Sequence, residues 1–430
     1  MRRPSVRSGA LVVATALSLA VILQLGPRPV PAWATSTPPP TPVPPNGSPS
    51  PFPTALTTPR PSLTPPPIGS PSAILEDLGT GQVLFAKAPD ERRPIASLTK
   101  VMTALVVLSR TKPGDTVVVD GTATSQPGSV LGLRVGERIT VRELLFALLL
   151  QSSNDAAVAL AEHVGGTVPG FVAMMNRQAV RMKLSHSRFT GPSGLDNGGV
   201  SSVRDMAAIA RAAYESSLFG QIVRTRFHDV PAPFGPPRHI QNRNVLLWLY
   251  PGAIGVKTGF TTPAGHCLIA AADRRGTRLV AVVLGASGPE DGGVFNDGAA
   301  LLNYGFAAFD ERALIHVGDP LSPLLVEGME VAAVAGATLL RLVRSDQAGK
   351  ITISFSPDRA LRLPITAGDR VGRVVVEVAG RRAGVVPAIA PATVTGSPPP
   401  PPEPPGPATP LERGLRALSV LIQAVLGPFL

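Results

Sequence analysis

Ser97 and Lys100 are the first residues along the chain whose types and spacing could do chemistry. They lie three apart, just after Pro94, where Val101 and Leu105 begin an apolar helical repeat. The spacing predicts that both side chains share one face at the start of a helix. A serine hydroxyl attacks efficiently only when a neighbouring base takes its proton. A lysine can be that base when burial or a second cation lowers its pKa. Alone, the pair is a weak signal that more often marks an ordinary capped helix start.

A second polar group, Ser152 and Asn154, follows an apolar stretch over residues 143–150. The pattern predicts a helix that ends at small polar residues and a new helix that begins near Asp155. The loop between them could present Ser152 and Asn154 to a cleft. The alternative is a structural corner between two helices, with Asn154 or Asp155 as the N-cap.

The third group is Lys257, Thr258, Gly259 and Thr261, at the end of a predicted strand. Lysine and threonine side chains could direct donors at an anion, and glycine permits a close approach of the backbone. The alternative is an edge strand with an exposed lysine.

Predicted hairpins lie on both sides of the three groups. Residues 72–87 read as two short strands around a turn at 77–81, and residues 267–284 as two longer strands around a turn at 272–276. Alternating apolar runs separated by Gly, Asp and Ser predict a small all-β sandwich over residues 309–386, without a catalytic constellation. We expect it to act as a pedestal.

Residues 1–34 have the pattern of a secretory signal. Arginines at positions 2, 3 and 7 precede the apolar residues 10–25, and an Ala-x-Ala cleavage site ends at Ala34. The alternative is an uncleaved anchor; the apolar stretch is shorter than the ~20 residues of a membrane span. In either case the rest of the chain is predicted to be exported.

Proline is concentrated in two tracts, residues 35–72 and 387–410, which exclude one continuous compact domain. Both are predicted to be extended linkers, because they have too little apolar surface to offset the entropy of ordering. Residues 411–430 follow the second tract. Their polar residues recur at intervals of four, three and four, which predicts an amphipathic helix in a membrane interface. The alternative is a helix that packs on the protein itself.

Composition and charge limit the kinds of partner and cofactor that the chain could bind. Without the four arginines of residues 1–34 the formal charge falls from +11 to +7. This charge indicates either an ordinary solvated basic surface or attraction to anionic lipid or an anionic wall polymer. No basic run is interleaved with aromatics, so nucleic acid is not expected. Cys267 is the only cysteine and is predicted to be a buried, inert thiol. The six histidines have no ligand spacing, and neither a metal nor a cofactor is expected.

Taken together, the order Ser-x-x-Lys, Ser-x-Asn, Lys-Thr-Gly resembles the serine-active-site, penicillin-binding group. More narrowly, residues 72–287 resemble the D-alanyl-D-alanine carboxypeptidases, the low-molecular-mass penicillin-binding proteins. The resemblance includes residues 94–100, 152–157 and 257–261, and the sequence Gly-Leu-Asp at 194–196. It implies an α+β fold, an antiparallel sheet with helices, for residues 73–308, followed by the small all-β domain.

The same resemblance implies a role for each motif residue. Ser97 would be the nucleophile, Lys100 the general base, and Ser152 a proton relay to the leaving amine. Asn154 would bind the substrate amide and orient Lys100. The residues implied to bind the terminal carboxylate or to line the substrate strand are Lys257, Thr258, Gly259, Phe260 and Thr261. The backbone N–H groups of Ser97 and Phe260 would form the oxyanion hole.

The implied substrate is the D-Ala-D-Ala terminus of peptidoglycan stem peptides, cleaved through an acyl-serine on the outer face of the cytoplasmic membrane. β-Lactams are implied as covalent inhibitors. Ser153, where the family usually has Gly, and Phe260, where His is common, depart from its pattern without removing a reactive group. A DD-endopeptidase, a β-lactamase and a non-catalytic wall-binding or β-lactam-sensing module remain alternatives. The β-lactamase is disfavoured because no glutamate stands in a Glu-x-x-x-Asn setting between Asn154 and Lys257.

Overall fold

The computed structural model describes residues 62–196, 198–233, 235–287, 293–396 and 410–426. The predicted signal and most of both proline tracts lie outside these residues. Within them the helices are α1 (Thr99–Leu108), α2 (Gly121–Thr124), α3 (Val141–Phe146), α4 (Asn154–Gly165), α5 (Val168–Arg181), α6 (Val203–Ala213), α7 (Ser217–Arg224), α8 (Leu246–Leu249), α9 (Gly293–Ala308) and α10 (Pro410–Leu426).

The strands that precede α9 are β1 (Ser72–Asp77), β2 (Val83–Lys87), β3 (Arg93–Pro94), β4 (Thr116–Val118), β5 (Arg138–Thr140), β6 (Val200–Ser201), β7 (Phe227–Val230), β8 (Arg238–Gln241), β9 (Ala253–Thr261), β10 (Gly265–Arg274) and β11 (Thr277–Ala286). Those that follow it are β12 (Phe309–Ile315), β13 (Leu324–Val326), β14 (Met329–Val331), β15 (Val334–Ala335), β16 (Leu339–Arg344), β17 (Ile351–Pro357), β18 (Arg370–Val378) and β19 (Arg381–Ile389).

A five-stranded antiparallel sheet of order β2-β1-β11-β10-β9 forms the centre. Both predicted hairpins are confirmed, as β1–β2 and β10–β11. Strands β10 and β11 each contain six consecutive apolar residues, 267–272 and 279–284, as expected where both faces of a sheet are covered. Successive residues alternate between two cores: Ile269 belongs to the core shared with the helices α1 and α3–α7, and Leu268 to the core under α9.

Helices cover the sheet on both sides, so this part of the chain has the expected α+β architecture. Helix α9 packs on one face, and α6 crosses the other beside α1. The edge strand β9 contacts α7 and the 3₁₀ turn Ala96–Leu98. The two residues that could react, Ser97 and Lys100, are thereby held next to the open edge of the sheet.

The strands β12–β19 form a separate apolar core of Val, Ala, Ile and Leu side chains, as the sequence predicts for a small all-β region. Its largest sheet has the order β15-β19-β18-β17. Residues 309–396 touch the preceding part through Gln82, whose amide group exchanges two hydrogen bonds with the backbone of Leu342.

Two predicted boundaries are wrong. The first linker does not extend to residue 72, because Ile68 is buried and Asp297 accepts hydrogen bonds from the backbone of Gly69 and Ser70. The all-β region does not end at residue 386. Strand β19 runs to Ile389, and Val394 pairs with Ile365. In both cases residues of a Pro- and Ala-rich stretch gain backbone partners that composition does not reveal.

Residues Pro410–Leu426 are helical, as expected for the C-terminal segment. Leu411, Leu415 and Leu418 of this helix are exposed. Of the residues described, no single helix has the length and apolar character needed to cross a membrane. The bent pair α4 and α5, at 83°, meets that test by length and composition alone.

Candidate active site

Ser97 lies in the 3₁₀ turn Ala96–Leu98, which leads directly into α1. Ala96 has a φ of +47°, in the left-handed region, so the chain bends sharply just before the serine. Gly194 packs against this bend: a Cβ atom there would lie 1.9 Å from the carbonyl oxygen of Ala96, so only glycine is accommodated. Ser97 itself is half-buried, which leaves its hydroxyl accessible to a ligand.

The ammonium nitrogen of Lys100 has three partners. Nζ is 3.1 Å from Ser97 Oγ, 2.8 Å from Asn154 Oδ1 and 2.8 Å from the carbonyl oxygen of Ser193. The last two atoms can only accept hydrogen bonds. A neutral lysine spends both of its N–H bonds on them, and its lone pair is then left for the hydroxyl of Ser97. The geometry is therefore that of a base beside a nucleophile.

Lys100 is fully buried, and this burial lowers its pKa to about 7. Desolvation is the main cause, because a charged ammonium group loses its hydration in the interior. The positive charge of Arg243 lowers the pKa further, and the negative charge of Asp155 opposes the shift. A substantial fraction of Lys100 is consequently neutral near pH 7.

The second polar group follows a π-helical turn, Ala147–Gln151, that ends α3. Ser152 has a φ of +68°, and its buried Oγ has no hydrogen-bond partner among the described residues. Asn154 starts α4, and its amide is held at both ends: Oδ1 accepts from Lys100 and Nδ2 donates to the carbonyl of Pro127 at 2.8 Å. Asn154 is therefore fixed, whereas the hydroxyl of Ser152 keeps its hydrogen-bonding capacity unused among the described residues.

Asp155 stabilises the loop that contains Ser152 and Asn154. Its buried carboxylate accepts hydrogen bonds of 2.9–3.1 Å from three consecutive backbone N–H groups, those of Leu131, Gly132 and Leu133. The sequence suggested only a possible N-cap at this position. The structure instead gives Asp155 the role of holding residues 127–133 against the Ser152–Asn154 loop.

Lys257 lies on β9 and is 1% exposed. Its Nζ donates to the carbonyl of Thr258 at 3.0 Å. Its pKa is held well below the ordinary value, mainly by burial and then by repulsion from Lys100 and Arg243. Two buried lysines, with the positive charge of Arg243 close enough to repel both, form an electrostatic environment that an anionic substrate group would stabilise.

Gly259 brings β9 against the serine turn. A Cβ atom at this position would lie 3.0 Å from the backbone nitrogen of Ser97, so a side chain would force the two backbones apart. Of the neighbouring predicted residues, Thr261 has a buried Oγ1 with no partner among the described residues, and Thr258 is half-buried. The two backbones thus meet where an oxyanion hole was predicted.

Phe260 is 54% exposed and stacks on His266, with ring centroids 4.5 Å apart. A recess of about 370 Å³ opens beside them and is lined in part by Arg93 and Ser287. The recess lies beside the end of β9, and Phe260, the residue after Gly259, lines it. It offers space for a segment of substrate that extends away from Ser97.

Sequence reasoning missed Arg243 and the carbonyl of Ser193. The guanidinium of Arg243 donates to Ser129 Oγ at 2.9 Å, and Ser129 Oγ donates to the carbonyl of Gln151 at 2.8 Å. The only sequence signal was the polar run 241–244 between two apolar segments. A backbone carbonyl such as that of Ser193 has no sequence signal at all.

The structure thus joins Ser97, Lys100 and Asn154 by direct hydrogen bonds, and Lys257 is near enough to share their electrostatic field. Ser152 makes no hydrogen bond to any of them. Cys267 is buried, and burial raises the pKa of its thiol to about 11, which is consistent with an inert side chain. In the part of the chain that the structure describes, no three His, Cys, Asp or Glu side chains could together hold a metal ion.

Comparison with known proteins identifies relatives of this region. The family model of peptidase S11, described as D-alanyl-D-alanine carboxypeptidase, matches residues 60–288. The chain is 34% identical over 249 residues to D-alanyl-D-alanine carboxypeptidase DacF of Bacillus subtilis, covering 56% of this chain but 64% of that relative. It is 39% identical over 238 residues to DacB2 of Mycobacterium tuberculosis, covering 54% of this chain and 81% of that relative.

A solved structure extends the similarity past the family match. Penicillin-binding protein 5 of Haemophilus influenzae superposes with a TM-score of 0.67 at 29% sequence identity. The superposition covers 77% of this chain and 99% of that one. The likeness therefore includes the C-terminal all-β region as well as the sheet and helices around Ser97.

Proposed function

The chain belongs to the D-alanyl-D-alanine carboxypeptidase family of penicillin-binding serine peptidases, and on that premise we propose that Ser97 attacks the peptidoglycan stem peptide. The bond cleaved is the amide between its two terminal D-alanines. The observation that carries this proposal is the contact of 3.1 Å between Lys100 Nζ and Ser97 Oγ, with the other lysine donors bound to Asn154 and Ser193.

In the proposed acylation step, Ser97 Oγ forms a bond to the carbonyl carbon of the penultimate D-alanine, and Lys100 takes the hydroxyl proton. The backbone N–H groups of Ser97 and Phe260 stabilise the oxyanion; such donors contribute about 3–4 kcal/mol each to lowering a barrier of this kind. The C–N bond then breaks as the proton held by Lys100 passes through the hydroxyl of Ser152 to the leaving amine of the terminal D-alanine, which leaves Lys100 neutral again.

Deacylation returns the enzyme to its starting state. A water molecule adds to the ester carbonyl and gives a proton to Lys100. The bond to Ser97 Oγ breaks, the serine recovers its proton, and the shortened peptide leaves with a new carboxylate.

Lys257, Thr258 and Thr261 are proposed to bind the terminal carboxylate of the substrate. Support comes from the buried, unpartnered hydroxyl of Thr261 and from the low pKa of Lys257, which a bound carboxylate would raise. The preceding residues of the stem peptide would leave along the recess beside Phe260.

Intact-mass spectrometry after brief incubation with penicillin tests the acyl-serine chemistry. We expect an adduct of one drug mass that is absent from Ser97→Ala. Slow loss of the adduct supports a carboxypeptidase, whereas rapid loss as hydrolysed drug would favour a β-lactamase. A folded protein that forms no adduct would contradict the proposal and favour a wall-binding module.

Two substrates separate carboxypeptidase from endopeptidase. We expect release of free D-alanine from a pentapeptide and slow cleavage of a cross-linked peptide dimer. Faster cleavage of the dimer than of the pentapeptide would reverse the assignment.

We further propose that the chain is exported and that residues 411–430 attach it to the outer face of the cytoplasmic membrane. The exposed leucines of α10 support an apolar surface suited to the membrane interface. Truncation after Pro410 is expected to release the protein into the soluble fraction. Continued membrane attachment of the truncated chain, with its signal removed, would contradict this role.

A further inference from the structure

The β7–β8 hairpin has two faces of opposite character. Its antiparallel register pairs His228 with Ile240 and Val230 with Arg238, and these four residues point inward. On that side the ring of His228 stacks on Phe146 at 3.7 Å, and Arg238 forms an ion pair with the buried carboxylate of Glu137. The inner face therefore fixes the hairpin firmly to the helical part of the protein.

The outward face pairs Phe227 with Gln241 and Asp229 with His239. All four residues are exposed, and Phe227 is 46% exposed. The rings of Phe227 and His239 lie 5.6 Å apart at 22°, and Asp229 Oδ1 is 2.7 Å from His239 Nδ1. Two nearly parallel rings are thus held in place, with a carboxylate and an amide group beside them.

Trp248, on α8, completes this surface. Its half-buried ring meets Phe227 edge-on at 5.7 Å, and the guanidinium of Arg226 lies 5.7 Å from its centroid. Aromatic residues make up only 4% of the chain, and tryptophan occurs twice in it. We call Phe227, Asp229, His239, Gln241 and Trp248 the ring face.

The ring face adjoins the active site along the chain. Strand β8 ends at Gln241, and two residues later the backbone N–H of Arg243 donates to the carbonyl of Leu150, in the turn that precedes Ser152. Two extended residues span only about 7 Å. A polymer whose peptide branch enters the site can therefore reach the ring face with its main chain.

We propose that the ring face binds the glycan strand of the same wall polymer whose stem peptides the active site cleaves. The inference rests on the proposed function, because that function supplies a substrate with sugar rings. The apolar C–H faces of a hexosamine ring would lie on Phe227 and Trp248, as flat aromatic rings offer large contact area at little entropic cost. Asp229 would accept hydrogen bonds from the hydroxyl groups of the sugar, and the amide of Gln241 would donate to or accept from its acetamido group.

A binding experiment tests the ring face without any catalysis. In the mature chain, from which residues 1–34 have been removed, Trp248 is the only indole. Titration with a peptide-free oligosaccharide of N-acetylglucosamine is expected to change its fluorescence with saturation. Phe227→Leu, which keeps apolar volume but removes the ring, should weaken binding about three- to tenfold. Phe227→Tyr should retain it.

Val180→Ala, on the exposed side of α5, is the matched control. It removes an apolar contact surface elsewhere and should leave the titration unchanged. The absence of a saturable change in the parent protein would overturn the proposal. An equal loss in the control would do the same, and concentration-dependent self-association through Phe227 would assign the surface to a second copy of the chain.

A kinetic ratio separates this inference from the proposed function. For each variant, D-alanine release is measured from glycan-attached stem peptides and from the free pentapeptide. We expect the ratio of the two kcat/KM values to fall about three- to tenfold in Phe227→Leu and to stay at the parental value in Phe227→Tyr and Val180→Ala. An unchanged ratio in Phe227→Leu would overturn the ring-face proposal, whereas inactivity of the parent on both substrates would overturn the proposed function.

Discussion

At the catalytic centre two lysines are buried, whereas in residues 309–396 the ion pairs of the described residues have side chains 29–83% exposed. No charged side chain of the described residues of that region is among the buried ones. The all-β region is stabilised by an apolar core and keeps its charges in water, where they cost little. Near Ser97, by contrast, the charged ends of Lys100 and Lys257 are removed from water.

The difference indicates what the buried charges are for. Burial of an ammonium group opposes folding unless partners compensate it. Here the compensation is specific: each N–H of a neutral Lys100 has an acceptor, and the remaining lone pair faces Ser97. This arrangement supports the proposed proton transfer from Ser97 to Lys100, and residues 309–396 contain no comparable buried charge among the described residues.

Replacing Lys100 should have the largest effect. We expect Lys100→Met to lower the rate of acylation by penicillin about 10²–10⁴-fold, because the base for Ser97 is lost. The measurement is adduct formation followed by mass against time. The control is Lys350→Met, at an exposed lysine of the all-β region, which should acylate at the parental rate. Parental acylation in Lys100→Met would assign the base to another group.

Removing the carboxylate of Asp155 should come next. Asp155→Ala leaves three backbone N–H groups of residues 131–133 without their acceptor, so we expect the free energy of unfolding to fall by about 2–5 kcal/mol. Denaturant titration measures this loss. Asp358→Ala, at an exposed aspartate, is the control from the other region. An equal fall in the free energy of unfolding in both variants would contradict the structural role assigned to Asp155.

The pH dependence of acylation should be intermediate in size. Because Lys100 must be neutral to act as the base, and its pKa is about 7, the rate should rise about eightfold between pH 5.5 and 6.5 and level off above about pH 8. The expected direction is an increase with pH, since deprotonation creates the active form. A rate that stays constant from pH 5.5 to 8.5 would contradict the role of Lys100.

The smallest effect is expected for the exposed pair Arg370–Asp358, whose side chains are 60% and 42% exposed. A double-mutant cycle in Ala should give a coupling of about 0–1 kcal/mol, since water and salt screen such pairs. Denaturant titration of the four proteins measures it. A coupling well above this range would show that the all-β region also depends on its charges.

Local sequence patterns were sufficient to predict several of the strands and one helix start. The turn-rich residues between apolar runs located both hairpins of the central sheet, and the Ser-x-x-Lys spacing located a helix start. The predicted ends of the two linkers were wrong where a residue's hydrogen-bond or strand partner lies far away in the sequence. Ser70 is ordered by Asp297 and Val394 by Ile365, and neither contact leaves a trace in local composition.

Residue types and helical or strand spacing are local properties, so the order of residues was enough to show which groups are available for chemistry. The burial of Lys100, the carbonyl contributed by Ser193 and the approach of Arg243, which lowers two pKa values, became visible only in the folded chain. These depend on segments that meet only when the chain folds. A pKa follows from the surroundings of a side chain, and those surroundings are a product of folding.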